Sequence, residues 1–206
     1  MTLYCATTNP GKLREFRLAA GGSHAAIRIE PVPGLNVIPP PAETGRTFRE
    51  NAVAKAIYYS RFAPGATFAD DSGLVVDALG GAPGVDSAHY AGPGATDDDN
   101  NRLLLERLRG IEERAARFVS VIALAEDGRL IGAFEGVVEG WILEAPRGSN
   151  GFGYDPLFLY PPYGRTLAEV SPEEKLAVSH RGKALRALLE FVARLSSPSP
   201  GARNGG

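Results

Sequence analysis

The sequence predicts an α/β fold built on a mixed β-sheet, and three observations carry this prediction. The run Thr2–Thr7 is apolar without strict alternation, which is typical of a strand that is buried on both faces. The segment Lys12–Ala20, which follows it, has its apolar residues at helical spacing. Two runs of strand character flank Asp127-Gly128, a dipeptide typical of an antiparallel hairpin. With 206 residues, the chain fits one sizeable domain or two closely joined lobes.

Capping residues and breaks mark the remaining elements in order. Thr47, Thr96 and Ser171 are predicted N-caps, and Ser171 opens a capping-box sequence with Pro at the first helical position. The Ser/Pro/Gly-rich residues 196–206 are expected to be a disordered tail. The further predicted elements are strand Ile27–Val32, helix 48–62, strands Ala66–Ala69 and Leu74–Val76, helix 97–108, strands Phe118–Ala125, Leu130–Val138 and Leu157–Tyr160, a short helix from Pro172 and a final helix Arg181–Leu195.

Two adjacent carboxylates, Asp70 and Asp71, come directly after the apolar run Ala66–Ala69, and Ser72-Gly73 follows them. We interpret this arrangement as a break between two short strands. Two acids in an apolar setting are unfavourable unless a cation neutralises them, and a divalent metal on a phosphate substrate would do so. The alternative interpretation is a turn in which the Asp side chains cap backbone N–H groups.

Composition and charge exclude several classes of protein. A net charge of −2 lacks the basic field of a general nucleic-acid binder, although a small anionic ligand remains compatible with it. Cys5 is the only cysteine, so an internal disulfide is excluded and a reducing compartment is favoured. One cysteine and three histidines are too few for a typical zinc site. Because neither a signal peptide nor an apolar run of about 20 residues is evident, we expect a cytoplasmic location without membrane contact.

Two segments are candidates for phosphate chemistry. Thr7–Lys12 joins a strand to a helix N-terminus, where backbone N–H groups, the helix dipole and Lys12 favour an anion. Many such turns, however, contain Asn, Pro and Gly for backbone reasons alone. On the helix after Glu43, Asn51 and Lys55 are four residues apart and share a face. That face is either part of a site or an ordinary solvated surface.

Two further segments are candidates for binding an aromatic base. Gly151–Pro156 contains two aromatic residues and Asp155, which would stack a base and fix its orientation, or would simply form a turn. His180 is flanked by cations that lower its pKa and favour the neutral imidazole, although a lone histidine is more often structural. Because Lys175 and Arg181 can only donate hydrogen bonds, a pocket built from them prefers a keto oxygen to an exocyclic amine.

Taken together, these segments resemble the inosine triphosphate pyrophosphatase family over nearly the whole chain, from Thr7 to about Leu195. Each motif is weak alone, but their order and spacing are specific. The motifs are Thr7-Thr8-Asn9-Pro10-Gly11-Lys12, Glu43-Thr44-Gly45 with Glu50-Asn51 and Lys55, Ala69-Asp70-Asp71-Ser72-Gly73-Leu74, Gly80-Gly81-Ala82-Pro83-Gly84, Gly151-Phe152-Gly153-Tyr154-Asp155-Pro156, Glu173-Glu174-Lys175 and Ser179-His180-Arg181-Gly182. One departure is Thr8, which stands where relatives often have Gly.

The resemblance implies an elongated mixed sheet flanked by helices, two lobes with a central active-site cleft in a single domain over residues 1–195, and a homodimer. It implies hydrolysis of ITP, dITP and XTP to the monophosphate and pyrophosphate, which cleanses the nucleotide pool and requires Mg2+. The implied catalytic residue is Asp71, which accepts the proton of the attacking water, and the implied metal ligands are Glu43 and Asp71. The implied substrate-binding residues are Thr7, Thr8, Asn9, Pro10, Gly11, Lys12, Lys55, Ser72, Phe152, Gly153, Tyr154, Asp155, Lys175, His180 and Arg181.

Three alternative functions differ in the features that they require. A pyrophosphatase for modified pyrimidine or methylated nucleotides would share the fold, but the motifs around Asp155 and His180-Arg181 argue against it. A non-catalytic nucleotide sensor could lose the residues that handle metal and water, yet Asp71 and Glu43 are intact. A nucleic-acid-binding module would need a basic strand face lined with aromatic residues, which the sequence lacks.

Overall fold

The computed structural model describes residues 1–23 and 27–196, which form a seven-stranded mixed sheet flanked by helices. Along the sheet the strands lie in the order β2-β1-β3-β4-β5-β6-β7. The strands are β1 Thr2–Cys5, β2 Arg28–Pro31, β3 Thr67–Val76, β4 Ala115–Glu126, β5 Arg129–Ile142, β6 Phe158–Tyr160 and β7 Arg165–Thr166. The helices are α1 Pro10–Ser23, α2 Phe48–Tyr59, α3 Asp97–Arg107, α4 Pro172–Val178 and α5 His180–Ser196.

The sheet combines a parallel and an antiparallel part, which confirms the predicted mixed α/β class. Strand β1 pairs in parallel with both β2 and β3, and every pairing from β3 to β7 is antiparallel. The predicted hairpin at Asp127-Gly128 joins β4 to β5. Both of its turn residues have positive φ, 49° and 75°, as a two-residue hairpin turn requires. The division into two lobes with a cleft stays a prediction of the family resemblance.

The predicted break at Asp70–Gly73 is wrong, because β3 runs without interruption from Thr67 to Val76. Each of its ten residues pairs with β4, including Asp70 with Ile122 and Asp71 with Val121. The alternative interpretation, a capping turn, is wrong for the same reason. Because acidic residues are depleted in strands, the adjacent pair Asp70-Asp71 is more typical of a strand end. Here the antiparallel ladder supplies the backbone partners and basic side chains neutralise the acids.

The helices cover both faces of the sheet. Phe16 of α1 and Leu188 of α5 pack with Phe68 on one face, while Ala52 of α2 packs with Ala69 on the other. This alternation along β3 follows from the twofold side-chain period of a strand. A third cluster joins α3 to the distal parts of β3, β4 and β5, and Leu104 is completely buried in it.

The capping predictions are confirmed, whereas several element ends differ from those predicted. The side chain of Thr47 accepts a hydrogen bond from the backbone of Glu50, and both Thr96 and Ser171 form complete capping boxes. Ser196, predicted to open the tail, is the last residue of α5. The rest of the predicted tail, residues 197–206, lies outside the described residues. Among the helices of the described part of the chain, none has the length and apolarity to cross a bilayer.

Candidate active site

Asp70 and Asp71 lie side by side in β3, so their side chains project from opposite faces of the sheet. Asp70 faces α1 and α5 and pairs with Lys12, whereas Asp71 faces α2 and pairs with Lys55. The predicted site residues therefore fall into two groups, which meet at the Asp70–Asp71 peptide. A continuous strand presents both carboxylates from one rigid segment, which a loose turn would not.

The group on the α2 side consists of Glu43, Asn51, Lys55 and Asp71. Lys55 Nζ lies 2.8 Å from Asp71 Oδ1 and 3.1 Å from Glu43 Oε2. Asn51 Nδ2 donates to Asp71 Oδ2 over 3.2 Å, and its Oδ1 accepts from the Gly45 N–H at 2.8 Å. Asn51 thus ties the Glu43-Thr44-Gly45 segment to β3. The alternative of a solvated helix face is wrong, since Asn51 is only 4% exposed.

The environment of Asp71 increases the proton affinity of its carboxylate. Burial raises the pKa of this carboxyl above its ordinary value, and the contacts with Lys55 and Asn51 oppose the shift without cancelling it. For Lys55, burial acts in the opposite direction, but Asp71, Asp70 and Glu43 together raise its pKa. Lys55 is therefore charged at neutral pH, beside a carboxylate that is more basic than a free aspartate.

On the other face, Asp70 is held by two cations. Lys12 Nζ lies 2.8 Å from Asp70 Oδ2, and Arg181 Nε lies 3.6 Å from the same oxygen. Ser72 Oγ donates to it over 3.2 Å and accepts from an Arg181 nitrogen at 3.0 Å. Burial alone would raise the pKa of Asp70, but Lys12 and Arg181 hold it at about 2. Asp70 therefore remains a permanent anion that orients the two basic side chains.

Glu15 of α1, which lies in none of the sequence motifs, completes this group. Its carboxylate lies 2.7 Å from Lys175 Nζ and makes a short ion pair with Arg181. Lys175 Nζ is also 2.5 Å from Asp155 Oδ2, which accepts the Phe152 N–H at 2.9 Å. Although burial acts to raise it, the two cations lower the pKa of Glu15. The spacing from Lys12 places Glu15 on the same face of α1, but only the fold reveals its partners.

Phe152 and His180 supply flat surfaces next to these charges. Two cations lie over the Phe152 ring: Lys175 Nζ is 4.7 Å and the Arg181 guanidinium is 5.3 Å from the ring centroid. It also packs against Gly11, where a Cβ atom would lie 2.9 Å from the ring. His180 stacks on Phe118 with centroids 4.7 Å apart. Burial, followed by the nearby Arg181 and Lys175, lowers the pKa of His180 well below its ordinary value. The predicted direction is confirmed, but burial rather than the flanking cations is the largest cause.

A cavity of about 280 Å³ lies among these groups. Of the predicted site residues it is lined by Asn9, Lys12, Ser72, Phe152, Gly153, Tyr154, Asp155, Lys175, His180 and Arg181. Pro10 and Gly11 line a second cavity, which Phe152 also lines. Thr7 Oγ1 accepts from the Asn9 N–H at 3.2 Å, and Thr8 is exposed. Glu43, Lys55 and Asp71 do not line this cavity but lie across the Asp70–Asp71 peptide from it.

The donor set on the α2 side fits a divalent cation that is shared with a phosphate ligand. Glu43 and Asp71 converge on one point, since both contact the same ammonium group of Lys55. Within residues 1–23 and 27–196, no cluster of three or more His, Cys, Asp or Glu side chains could enclose a metal ion. Magnesium sites commonly use one or two carboxylates together with water and substrate phosphates, and the two carboxylates match that pattern.

The sequence and the fold are similar to those of known proteins. The model of the Ham1 family matches residues 3–191. A dITP/XTP pyrophosphatase from Acidobacterium capsulatum is 53% identical over 198 residues, which cover 92% of this chain and 97% of that protein. The Ham1 protein of Staphylococcus aureus superposes with a TM-score of 0.84 at 35% identity, covering 95% of this chain and all of that one. A HAM1 protein from Coxiella burnetii superposes with a TM-score of 0.83 at 41% identity, covering 94% and 99% respectively.

Proposed function

The chain belongs to the Ham1 family, and from this premise we propose that it hydrolyses ITP, dITP and XTP to the nucleoside monophosphate and pyrophosphate, thereby cleansing the nucleotide pool. The observation that carries the proposal is the Asp70–Asp71 peptide. On one side, Lys12 and Arg181, which pair with Asp70, line a cavity with an aromatic ring and hydrogen-bond donors, which suits a purine base. On the other side the peptide borders two carboxylates and a lysine, which suit phosphate and metal.

The triphosphate is proposed to lie along the turn that precedes and opens α1. Helix α1 has 14 residues, so its N-terminal N–H groups and dipole favour an anion. Asn9 Oδ1 accepts the Lys12 N–H at 3.1 Å, which fixes the first turn of the helix. Lys12 and Lys55 supply full positive charges from the two faces of the sheet. The residues assigned to phosphate binding are Thr7, Thr8, Asn9, Pro10, Gly11, Lys12 and Lys55.

Glu43 and Asp71 are proposed to hold Mg2+ together with the substrate phosphates. When bound, magnesium would neutralise phosphate charge and make a water molecule more acidic. Asp71 accepts the proton of the water that attacks the α-phosphorus. Lys12 and Lys55 offset the charge that develops on the departing pyrophosphate. Asn51 keeps the Asp71 carboxylate oriented.

Base selection is assigned to the residues around Phe152. Its ring stacks the purine, while Lys175 and Arg181 donate to a keto oxygen. His180 stays neutral, and Ser72, Gly153, Tyr154 and Asp155 complete the wall of the cavity. ATP presents an amine where inosine presents a keto oxygen, so donors would be left unpaired against it. Such a mismatch reduces kcat/KM by several powers of ten, on the order of 10⁴.

Glu15→Gln is expected to weaken this selection. The substitution keeps the shape of the side chain but removes the charge that orients Lys175 and Arg181. Loss of charge-assisted hydrogen bonds of this kind corresponds to about a tenfold fall in the ratio of kcat/KM for ITP to that for ATP. Steady-state rates with both nucleotides measure it. Glu30→Gln, at a half-exposed surface ion pair, is the matched control. An unchanged ratio in Glu15→Gln would remove Glu15 from base selection.

The proposed reaction is tested with ITP, XTP, GTP, ATP and dTTP, with magnesium and with both products identified. We expect pyrophosphate with IMP or XMP, and nearly inert ATP and GTP. GTP has the same keto oxygen as ITP, so its exclusion depends on the edge of the base that carries the extra amine. Release of orthophosphate would overturn the reaction, and a preference for dTTP would favour the pyrimidine alternative. Binding without turnover would indicate a sensor.

We also propose a single two-lobed domain over residues 1–195, a homodimer and a cytoplasmic location; the proposal includes no nucleic-acid or membrane partner.

A further inference from the structure

Helix α3 binds the backbone of residues 151–155, called here the Phe152 loop, through both the N–H and the carbonyl of Gly153. The Gly153 N–H donates to Asp97 Oδ2 at 2.6 Å, and its carbonyl accepts from Asn101 Nδ2 at 2.9 Å. Asp97 and Asn101 are four residues apart, so they lie on one face of α3. Both polar groups of the Gly153 backbone are thus held by a helix more than fifty positions away in the chain.

Helix α3 is itself firmly anchored. Leu104 is completely buried, and Asn100 accepts the Ala91 N–H at 2.8 Å and donates to the Ala88 carbonyl at 3.2 Å. The Tyr154 hydroxyl adds a hydrogen bond to the same region, since it donates to the Ser87 carbonyl at 2.8 Å. Residues 87–101 lie in none of the predicted motifs. Together with the Asp155–Lys175 ion pair, their contacts hold the loop in place.

We propose that Asp97 and Asn101 are positioning residues that fix Phe152 under the purine base. The proposal rests on the proposed function, because it assigns Phe152 to base stacking. Gly153 directly follows Phe152, and the Phe152 N–H is bonded to Asp155, which pairs with Lys175. Displacement of Gly153 therefore shifts the stacking ring and, through Asp155, one of the donors. Base affinity changes, while Asp71 on the opposite face of the sheet is unaffected.

Asp97→Ala tests this assignment in the full-length protein. Removal of the acceptor is expected to raise KM for ITP about tenfold, with kcat changed less than twofold. Asp97→Asn retains an acceptor oxygen and should restore KM to within about twofold of the parent value. The matched control is Asp98→Ala, which removes an exposed carboxylate from the same helical turn. It causes the same loss of charge at the helix N-terminus without touching Gly153. Asn101→Ala removes the donor to the Gly153 carbonyl and should also raise KM for ITP.

Hydrogen exchange separates positioning from direct contact with substrate. Without nucleotide, amides of residues 151–155 should exchange faster in Asp97→Ala than in the parent protein or in Asp98→Ala. Equal exchange in all three proteins, or equal KM values for Asp97→Ala and Asp98→Ala, overturns the proposal. If the parent protein hydrolyses no nucleoside triphosphate, the proposed function fails instead. The exchange measurement then still decides whether Asp97 holds the loop.

Discussion

Asp71→Asn is expected to lower kcat for ITP by roughly a thousandfold while the protein remains folded. A general base contributes on the order of 10²–10⁴ to the rate, and asparagine cannot accept the proton. The amide keeps the shape of the side chain, and Lys55 still has Glu43 as a partner. Initial rates with saturating magnesium and ITP measure the loss, and thermal unfolding monitored by circular dichroism checks the fold.

Asp77→Asn is the matched control for this experiment. Asp77 follows β3 and pairs with Arg117 at 2.7 Å, but both side chains are more than a third exposed. Its substitution removes the same charge close to the same strand and should leave kcat within about twofold. Turnover near the parent value in Asp71→Asn, with magnesium present, would exclude Asp71 as the proton acceptor. An unfolded Asp71→Asn protein would instead indicate that its pairing with Lys55 is structural.

Elements with a strong local signal were predicted closely. The capping residues Thr96 and Ser171 begin helices where expected, and Asp127-Gly128 closes its hairpin, because side chains and φ angles within a few residues determine these features. The two-residue strand Arg165–Thr166 has no such signal. Two residues are too few to form a periodic pattern, so only its pairing with β6, which ends at Tyr160, reveals it.

In the candidate site, some residues lie in local sequence patterns, whereas others are revealed only by contacts with residues distant in the sequence. The motifs identified Lys12, Lys55 and Asp71 because each lies in a recognisable local pattern. Glu15 has no distinguishing neighbours, and its partner Arg181 is 166 residues away. Likewise, the pattern placed Asp70 and Asp71 together as one acidic pair. Only the continuous pairing of β3 with β4 shows that they serve opposite faces and different cations.

Because Asp70 and Asp71 face opposite sides of the sheet and pair with different cations, their substitution by asparagine is expected to have different effects. Asp70→Asn is expected to lower the free energy of unfolding by about 3–5 kcal/mol, the usual cost of removing one partner of a buried ion pair. The Asp70 side chain is 2% exposed, and Lys12 and Arg181 would lose their shared anion. Three carboxylates now balance three cations on this face: Glu15, Asp70 and Asp155 against Lys12, Lys175 and Arg181. Asparagine would leave an uncompensated positive charge among them.

Urea unfolding of the two variants side by side provides the measurement, with Asp71→Asn as the control for the same change one residue along the strand. Asp71→Asn should cost less stability, because its side chain is more exposed, at 11%, and Glu43 remains beside Lys55. If Asp70→Asn unfolds at the same urea concentration as the parent protein, Asp70 is not the anion that holds the basic groups in place. The cavity would then depend on Glu15 and Asp155 alone, and Glu15→Gln should show the larger loss of stability.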